Sequence, residues 1–111
     1  MGEFIIEDIK WKKGEEGIQH FILFESDGTT RRDGTGNTYT FAFWKRGASS
    51  VKGSGTLVAT DTVQGEYDYT VTASNTDTID DYIGEVIENP ASTNLRSETF
   101  KVDVEESSDF S

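Results

Sequence analysis

Apolar and polar residues alternate along much of this chain with a period of two, not the 3.6 of a helix. Successive side chains of a β-strand point to opposite faces, so the alternation predicts strands with one buried and one solvated face. Residues 66–73 alternate most clearly, and one predicted face carries Tyr67, Tyr69, Val71 and Ala73. No segment has the spacing of an amphipathic helix, and we therefore expect an all-β protein.

The segment Thr38–Trp44 is rich in aromatic residues and follows a stretch of turn residues. Its alternation places three aromatic side chains on one face, where we expect them to form the centre of the core: Tyr39, Phe41 and Phe43. Trp44 would lie on the opposite face, beside the cationic residues Lys45 and Arg46. This arrangement predicts that Trp44 contacts a partner.

Turn residues divide the chain into seven predicted strands, at residues 4–11, 18–25, 38–44, 56–60, 66–73, 82–88 and 99–105. In the first strand one face would carry Ile5, Ile9 and Trp11, and in the last strand the inward face would carry Phe100, Val102 and Val104. The glycine- and serine-rich segment Gly47–Gly55 would be an exposed loop.

Seven short strands in about 100 residues favour an immunoglobulin-like β-sandwich of about seven antiparallel strands. The chain contains no cysteine, so the fold would have no disulfide and no Cys-based zinc site. We expect a single domain over residues 1–105, followed by a flexible acidic C-terminal tail at residues 106–111.

The charge balance is strongly acidic, with 21 Asp and Glu against 10 Lys and Arg and a formal net charge of −11. Nucleic acids and anionic membranes bind positive surfaces, so we expect neither as a partner. No basic and apolar leader pattern opens the chain, and no stretch approaches the roughly 20 apolar residues of a membrane span. A dense carboxylate surface also suits high salt, which makes a halophilic source an open alternative to an ordinary acidic protein.

Few residues are candidates for metal binding or catalysis. Asp77, Asp80 and Asp81 fall in one predicted loop and are weak candidates for binding Ca²⁺ through carboxylate oxygens; the alternative is a solvated acidic loop. The single histidine, His20, has no nucleophile motif with it, so we expect a structural or surface role. We therefore predict no enzymatic activity and no cofactor.

Two further groups of side chains are candidates for contact with other molecules. Trp11 and Trp44 would form a sugar-stacking platform if both were exposed, or they would fill the core or an interface. The basic pairs Arg31-Arg32 and Lys45-Arg46 stand out against the acidic background and would pair with acidic patches of a partner, or would be ordinary surface charge.

The order of turns and aromatic residues resembles a known family. The shared features are the basic turn Lys12-Lys13-Gly14, the apolar run 21–24, the turns Ser26-Asp27-Gly28 and 32–36, the strand opening Gly65–Tyr69, and Tyr82–Val86 before the last hairpin. This order resembles the immunoglobulin-like modules of tailed-virus structural proteins, above all the N-terminal domain of phage baseplate upper proteins. The resemblance implies an architectural role without catalysis.

If the resemblance holds, the chain is a virion structural protein of a tailed bacterial or archaeal virus, present in many copies and bound to other virion proteins. Tail, baseplate and capsid-surface locations all stay open. Contacts are expected from the terminal segments Met1–Phe4 and Glu105–Ser111, from the loop Gly47–Gly55 and from exposed strand edges. The alternative is a carbohydrate-binding module that uses exposed aromatic side chains.

Overall fold

A computed structural model describes residues 4–89 and 95–106, and these residues form strands joined by turns. In these two ranges nine strands follow one another: β1 (Ile9–Lys12), β2 (Gly17–Ile22), β3 (Thr38–Lys45), β4 (Gly53–Thr56), β5 (Val58–Asp61), β6 (Glu66–Val71), β7 (Asp80–Asn89), β8 (Leu95–Arg96) and β9 (Phe100–Glu105). Within these residues, nothing helical is long and apolar enough to cross a membrane. The expected contacts at residues 1–3 and 107–111 lie outside the described residues.

The strands form two sheets that pack face to face. The larger sheet has the order β1-β9-β7-β3-β4, with the short β8 paired to β7, and the smaller sheet has the order β2-β6-β5. This is the strand arrangement of an immunoglobulin-like sandwich, so the predicted fold class is confirmed. In detail, the described residues form nine strands where about seven were expected, and β1 pairs with β9 in parallel whereas the other strand pairs are antiparallel.

Aromatic side chains from both sheets fill the core. Phe41 of β3 lies 4.9 Å, between ring centroids, from Phe21 of β2 and from Tyr69 of β6, so a single ring joins the two sheets. All three aromatic residues predicted for the inner face of β3 are completely buried: Tyr39, Phe41 and Phe43. Offset and edge-on ring contacts of this kind add to the area-dependent hydrophobic stabilisation, by about 1 kcal/mol per pair.

The first predicted strand is divided between the two sheets, which corrects its predicted face. Ile5 forms an isolated bridge with Phe24 next to the smaller sheet, whereas Ile9 begins β1 in the larger sheet. The chain therefore crosses over between Ile6 and Ile9, and Ile5 does not share a face with Ile9 and Trp11. Phe4, expected to contact a partner, is completely buried.

The segment Gly47–Gly55 is not entirely a loop, because Gly53 begins β4. A Cβ atom on Gly53 would lie 2.9 Å from Phe43 Cε1, and one on Gly55 would lie 3.1 Å from Tyr69 Cε1. Gly53 therefore has no room for a side chain, and a side chain at residue 55 would require the Tyr69 ring to shift. The four residues of β4 have no alternating apolar side chains, and β8 has only two residues. Neither strand therefore shows a pattern that the sequence analysis could recognise.

Candidate functional site

Of the residues at the end of β3 that were predicted to contact a partner, Trp44 lies on the outer face of the larger sheet. Trp44 is half-buried and borders a shallow depression with Val51 of the β3–β4 connection. Lys45 extends into solvent, and its Nζ lies 3.1 Å from Asp80 Oδ2. Arg46 lines a second depression with Asp81 and other polar residues of β7 and β9. Trp44, Lys45 and Arg46 are thus close together, as predicted, and they lie beside carboxylates of the same chain.

Two carboxylates face each other next to Arg46. Asp81 of β7 and Asp103 of β9 are direct partners in the antiparallel register, where like charges repel. Partial burial and the neighbouring Asp81 raise the pKa of Asp103 above its usual value. Lys101 lines the same depression and opposes this shift. The pair therefore offers an arginine or lysine of a partner protein two negatively charged groups at once.

Trp11 does not belong to this surface. It is 1% exposed, lies 5.5 Å from Phe43 between ring centroids, and donates a 2.9 Å hydrogen bond from Nε1 to Gln19 Oε1. The roles predicted for Trp11 in partner contact and in a sugar platform were wrong, because alternation in β1 directs its side chain into the core. Among the described residues no aromatic side chain is fully exposed, so a sugar-stacking pair with Trp44 does not form.

Arg32 is likewise turned inward, contrary to its predicted contact with a partner. Its Nε and Nη2 atoms donate to the two carboxylate oxygens of Glu88, at 2.9 and 3.0 Å, and Nη1 donates to Glu25 at 2.7 Å. Its Cζ lies 5.1 Å from the centre of the Phe4 ring. The guanidinium of Arg32 therefore compensates Glu88, which is 4% exposed, instead of serving an intermolecular contact.

Tyr39 completes this network by donating its hydroxyl hydrogen to Glu88 Oε2 at 2.5 Å. Burial raises the pKa of Glu88, but hydrogen bonds from Arg32 and Tyr39 outweigh that effect, so the net pKa is lower than usual. Sequence reasoning missed Glu88, although the alternation Tyr82-Gly84-Val86-Glu88 places it on the buried face of β7. A charged residue on the inner face of a strand is the signal that could have found it.

The neighbouring Arg31 is partly exposed and paired within the chain. Its Nη1 atom donates to Glu66 Oε2 and to the Gln64 carbonyl, both at 3.0 Å. Its Cζ lies 5.9 Å from the centre of the Phe24 ring. Contact of Arg31 with a partner stays a prediction, and such contact would compete with these internal bonds.

Two of the three predicted calcium ligands, Asp77 and Asp80, pair with lysines, and the third, Asp81, faces Asp103. Asp77 accepts a hydrogen bond from Lys52, which lowers the pKa of Asp77. The pKa of Asp80 is lowered by the backbone N–H of Asp81 and then by Lys45. Within the described ranges, no group of three or more His, Asp or Glu side chains is arranged to hold a metal ion. The lone His20 hydrogen-bonds Asp68 Oδ1 at 2.6 Å on the solvent side of the smaller sheet.

Comparison with known proteins gives a fold but no sequence family. No family model matches the chain, and no curated protein matches it. Among solved structures, the chain is similar to the N-terminal domain of phage TP901-1 ORF48, with a TM-score of 0.62 and 12% sequence identity over 94% of this chain and 98% of that one. The predicted resemblance to a module of tailed-phage structural proteins is therefore confirmed at the level of the fold.

Proposed function

We propose that this chain is a structural protein of a tailed-phage virion and serves as a non-catalytic assembly module of the baseplate. The observation that carries the proposal is the fold match with a domain of a phage baseplate protein, which extends over nearly all of both chains. Placement in the baseplate, instead of elsewhere on the tail or on the capsid surface, rests on the identity of that neighbour.

The partners under this proposal are other virion proteins. The surface formed by Trp44, Lys45 and Arg46 would supply one contact, with a half-buried aromatic ring beside two cations. The adjacent carboxylates Asp81 and Asp103 would receive a cationic side chain of the partner. Each contact is small, so stable attachment would come from many copies arranged symmetrically in the particle.

The location is tested with virions from which this chain has been deleted. Purified chain carrying a gold label is added back, and the particles are imaged by electron cryomicroscopy. Label at the baseplate is the expected result. Label on the capsid would replace the baseplate assignment with capsid decoration, and failure to bind any part of the particle would overturn the virion role.

The contact surface is tested by reversing one charge. Arg46→Glu should lower binding to the deleted particles at least about tenfold, since it replaces the cation that would meet an acidic patch of the partner with an anion. The matched control is Lys13→Glu, which makes the same charge change at an exposed turn between β1 and β2. Equal binding by both variants would exclude the Arg46 surface.

A further inference from the structure

Strand β4 lies at the edge of the larger sheet, and no strand of the described residues pairs with its outer side. The edge strand β1 at the other end of this sheet carries Lys10 and Lys12, which discourage further pairing. The smaller sheet has two edges: β5 has an irregular register between Ala59 and Asp61, and β2 is flanked by the crossover segment at residues 6–9, which lines a pocket together with residues 19–22 of β2. By contrast, β4 is regular and uncharged, so its free backbone groups are open to another strand.

The surface around β4 is also nearly uncharged. On one side lies the depression of Trp44 and Val51, and on the other lies a groove of about 410 Å³ between β4 and the smaller sheet, bordered by Val58 and Thr70. Within the described residues, Lys52 is the one charged side chain that lines either depression, and it pairs with Asp77. We call this region the neutral surface.

Packing against the core does not explain why the exposed residues at and near β4 are uncharged. Gly53 and Gly55 face the core, where a side chain at residue 53 would overlap Phe43 and one at residue 55 would crowd Tyr69. Ser54 and Thr56 alternate with them and are exposed. Val51 is 53% exposed and Val58 is 65% exposed. Residues 47–60 hold a single charged residue in a chain that is 28% charged. Solubility alone would favour Lys or Glu at such exposed positions.

The charge of the rest of the molecule indicates which partner fits. A basic partner would be attracted to carboxylate-rich surfaces, which this chain has in abundance. A partner with the same net charge of −11 would be repelled by those surfaces and could approach only where carboxylates are missing. The partner with that charge and with a matching uncharged edge is a second copy of this chain.

We propose that two copies pair antiparallel through their β4 edges about a two-fold axis, which joins their larger sheets into one continuous sheet. Such an interface is isologous, because the same edge is used by both copies. It would cover the exposed Val51 and Val58 of each copy and satisfy the free backbone groups of β4. The inference deepens the proposed function and rests on it for the expectation of many copies in one particle.

The first test is sedimentation velocity of the purified chain over a range of concentrations and salt. We expect a reversible dimer whose dissociation constant falls as NaCl is raised from about 0.05 to 0.5 M, because salt screens the repulsion between two acidic copies. A chain that stays monomeric up to about 1 mM, or a dimer that weakens as salt is added, would overturn the proposal.

The chain offers a matched pair of valines for mutation. Val58→Glu adds a carboxylate to the neutral surface and should raise the dissociation constant at least about tenfold. Val63→Glu makes the same change at a residue that is 57% exposed in the turn after β5, outside the neutral surface, and should leave dimerisation unchanged. Equal effects of the two variants would contradict an interface at β4.

Cysteine cross-linking tests the edge pairing itself, since the natural chain has no cysteine. Paired strands bring opposing Cα atoms to about 5 Å, within disulfide range. Ser54→Cys alone, Thr56→Cys alone, or an equimolar mixture of both should therefore give a covalent dimer under mild oxidation, depending on the register. Val63→Cys is the control that should stay monomeric. No cross-link in any of the three samples would exclude β4 pairing.

The outcomes separate this inference from the proposed function. A chain that binds the baseplate but neither dimerises nor cross-links would overturn the β4 interface and leave the virion role intact. A chain that dimerises through β4 but binds no part of the virion would support the interface and overturn the virion role.

Discussion

Arg32 and Glu88 form a two-pronged ion pair in which Nε meets Oε2 at 2.9 Å and Nη2 meets Oε1 at 3.0 Å. Glu88 belongs to β7, and Arg32 belongs to the connection between β2 and β3, so the pair fastens that connection to the larger sheet. A buried carboxylate is tolerated only while its charge is compensated.

Replacement of Arg32 should therefore destabilise the fold. Arg32→Gln leaves the Glu88 carboxylate buried without its cation, and we expect a loss of about 3 kcal/mol in the free energy of unfolding. Arg31→Gln is the matched control, because it breaks a partly exposed pair with Glu66 and should cost less than about 1 kcal/mol. Urea denaturation followed by tryptophan fluorescence measures both variants, and similar losses would contradict the role assigned to Glu88.

Stability should depend on pH through Glu88. Burial opposes ionisation of this carboxyl, but Arg32 and Tyr39 outweigh burial and hold its pKa below the usual value. A carboxyl whose pKa is depressed by folding contributes stability above its unfolded pKa of about 4.3, and that contribution is lost as the pH falls through the folded pKa. Glu88→Gln should be less stable than the natural chain at pH 7, and the difference should shrink below about pH 4. A difference that is constant over this range would refute the assignment.

Tyr67 carries a buried hydroxyl that finds no hydrogen-bond partner among the described residues. Tyr67→Phe should therefore keep or raise the stability, by up to about 1 kcal/mol, because it removes an uncompensated polar group and no hydrogen bond. Tyr39→Phe is the contrasting variant, since its hydroxyl donates to Glu88 and its loss should destabilise the fold. Thermal denaturation distinguishes the two, and a large loss in Tyr67→Phe would reveal a partner for its hydroxyl.

The same hydroxyl limits what fits at residue 34. A Cβ on Gly34 would lie 2.2 Å from Tyr67 Oη and 2.9 Å from Tyr39 Cε2, so Gly34→Ala should cost about 2 kcal/mol. Tyr67→Phe removes the closer of these atoms and should restore part of the loss in the double variant. Strictly additive effects in this double-mutant cycle would show that the two side chains do not meet.

Asp103 should destabilise the chain at neutral pH. Burial and the facing Asp81 raise the pKa of Asp103, so its ionised form is disfavoured in the folded state. Asp103→Asn should raise the free energy of unfolding by about 0.5 kcal/mol at pH 7, and the gain should shrink as the pH falls through the folded pKa and vanish below the unfolded pKa of about 3.9. Glu98→Gln removes one exposed carboxylate from the segment before β9 and should change little. A gain for Glu98→Gln of the same size would indicate a general effect of net charge.

Sequence alternation predicted the parts of the fold where one face is apolar over several residues. The inward faces of β3 and β9 were correct for that reason, and so was the outward placement of Trp44. In β6 the prediction held for Tyr67, Tyr69 and Val71 but was wrong for Ala73, which lies beyond the end of the strand and is exposed. Alternation carries no information about which strands become neighbours, so the parallel pairing of β1 with β9 was not predicted. It also fails where a strand has glycine on its inner face, as in β4.

The candidate site was predicted only in part, because sequence alone does not reveal what each charged side chain meets. Trp44, Lys45 and Arg46 are consecutive residues, so their proximity follows from the chain itself and needed no knowledge of the fold. Arg32 and Glu88 are 56 positions apart, so their pairing depends on the register between β3 and β7. For Trp11 an exposed contact and a core position both stayed open, because an aromatic residue beside lysines looks the same in the sequence whether it faces solvent or the core.

The parallel pairing of β1 with β9 has a mechanical consequence. Four residue pairs, from Ile9 with Val102 to Lys12 with Glu105, join these strands, and Glu105 also contacts Lys10 and Lys12 through its carboxylate. Because the strands run in the same direction, tension applied before Ile9 and after Glu105 pulls them lengthwise past each other. All the hydrogen bonds between them then bear the load together instead of opening one at a time, so the domain should resist stretching along this axis.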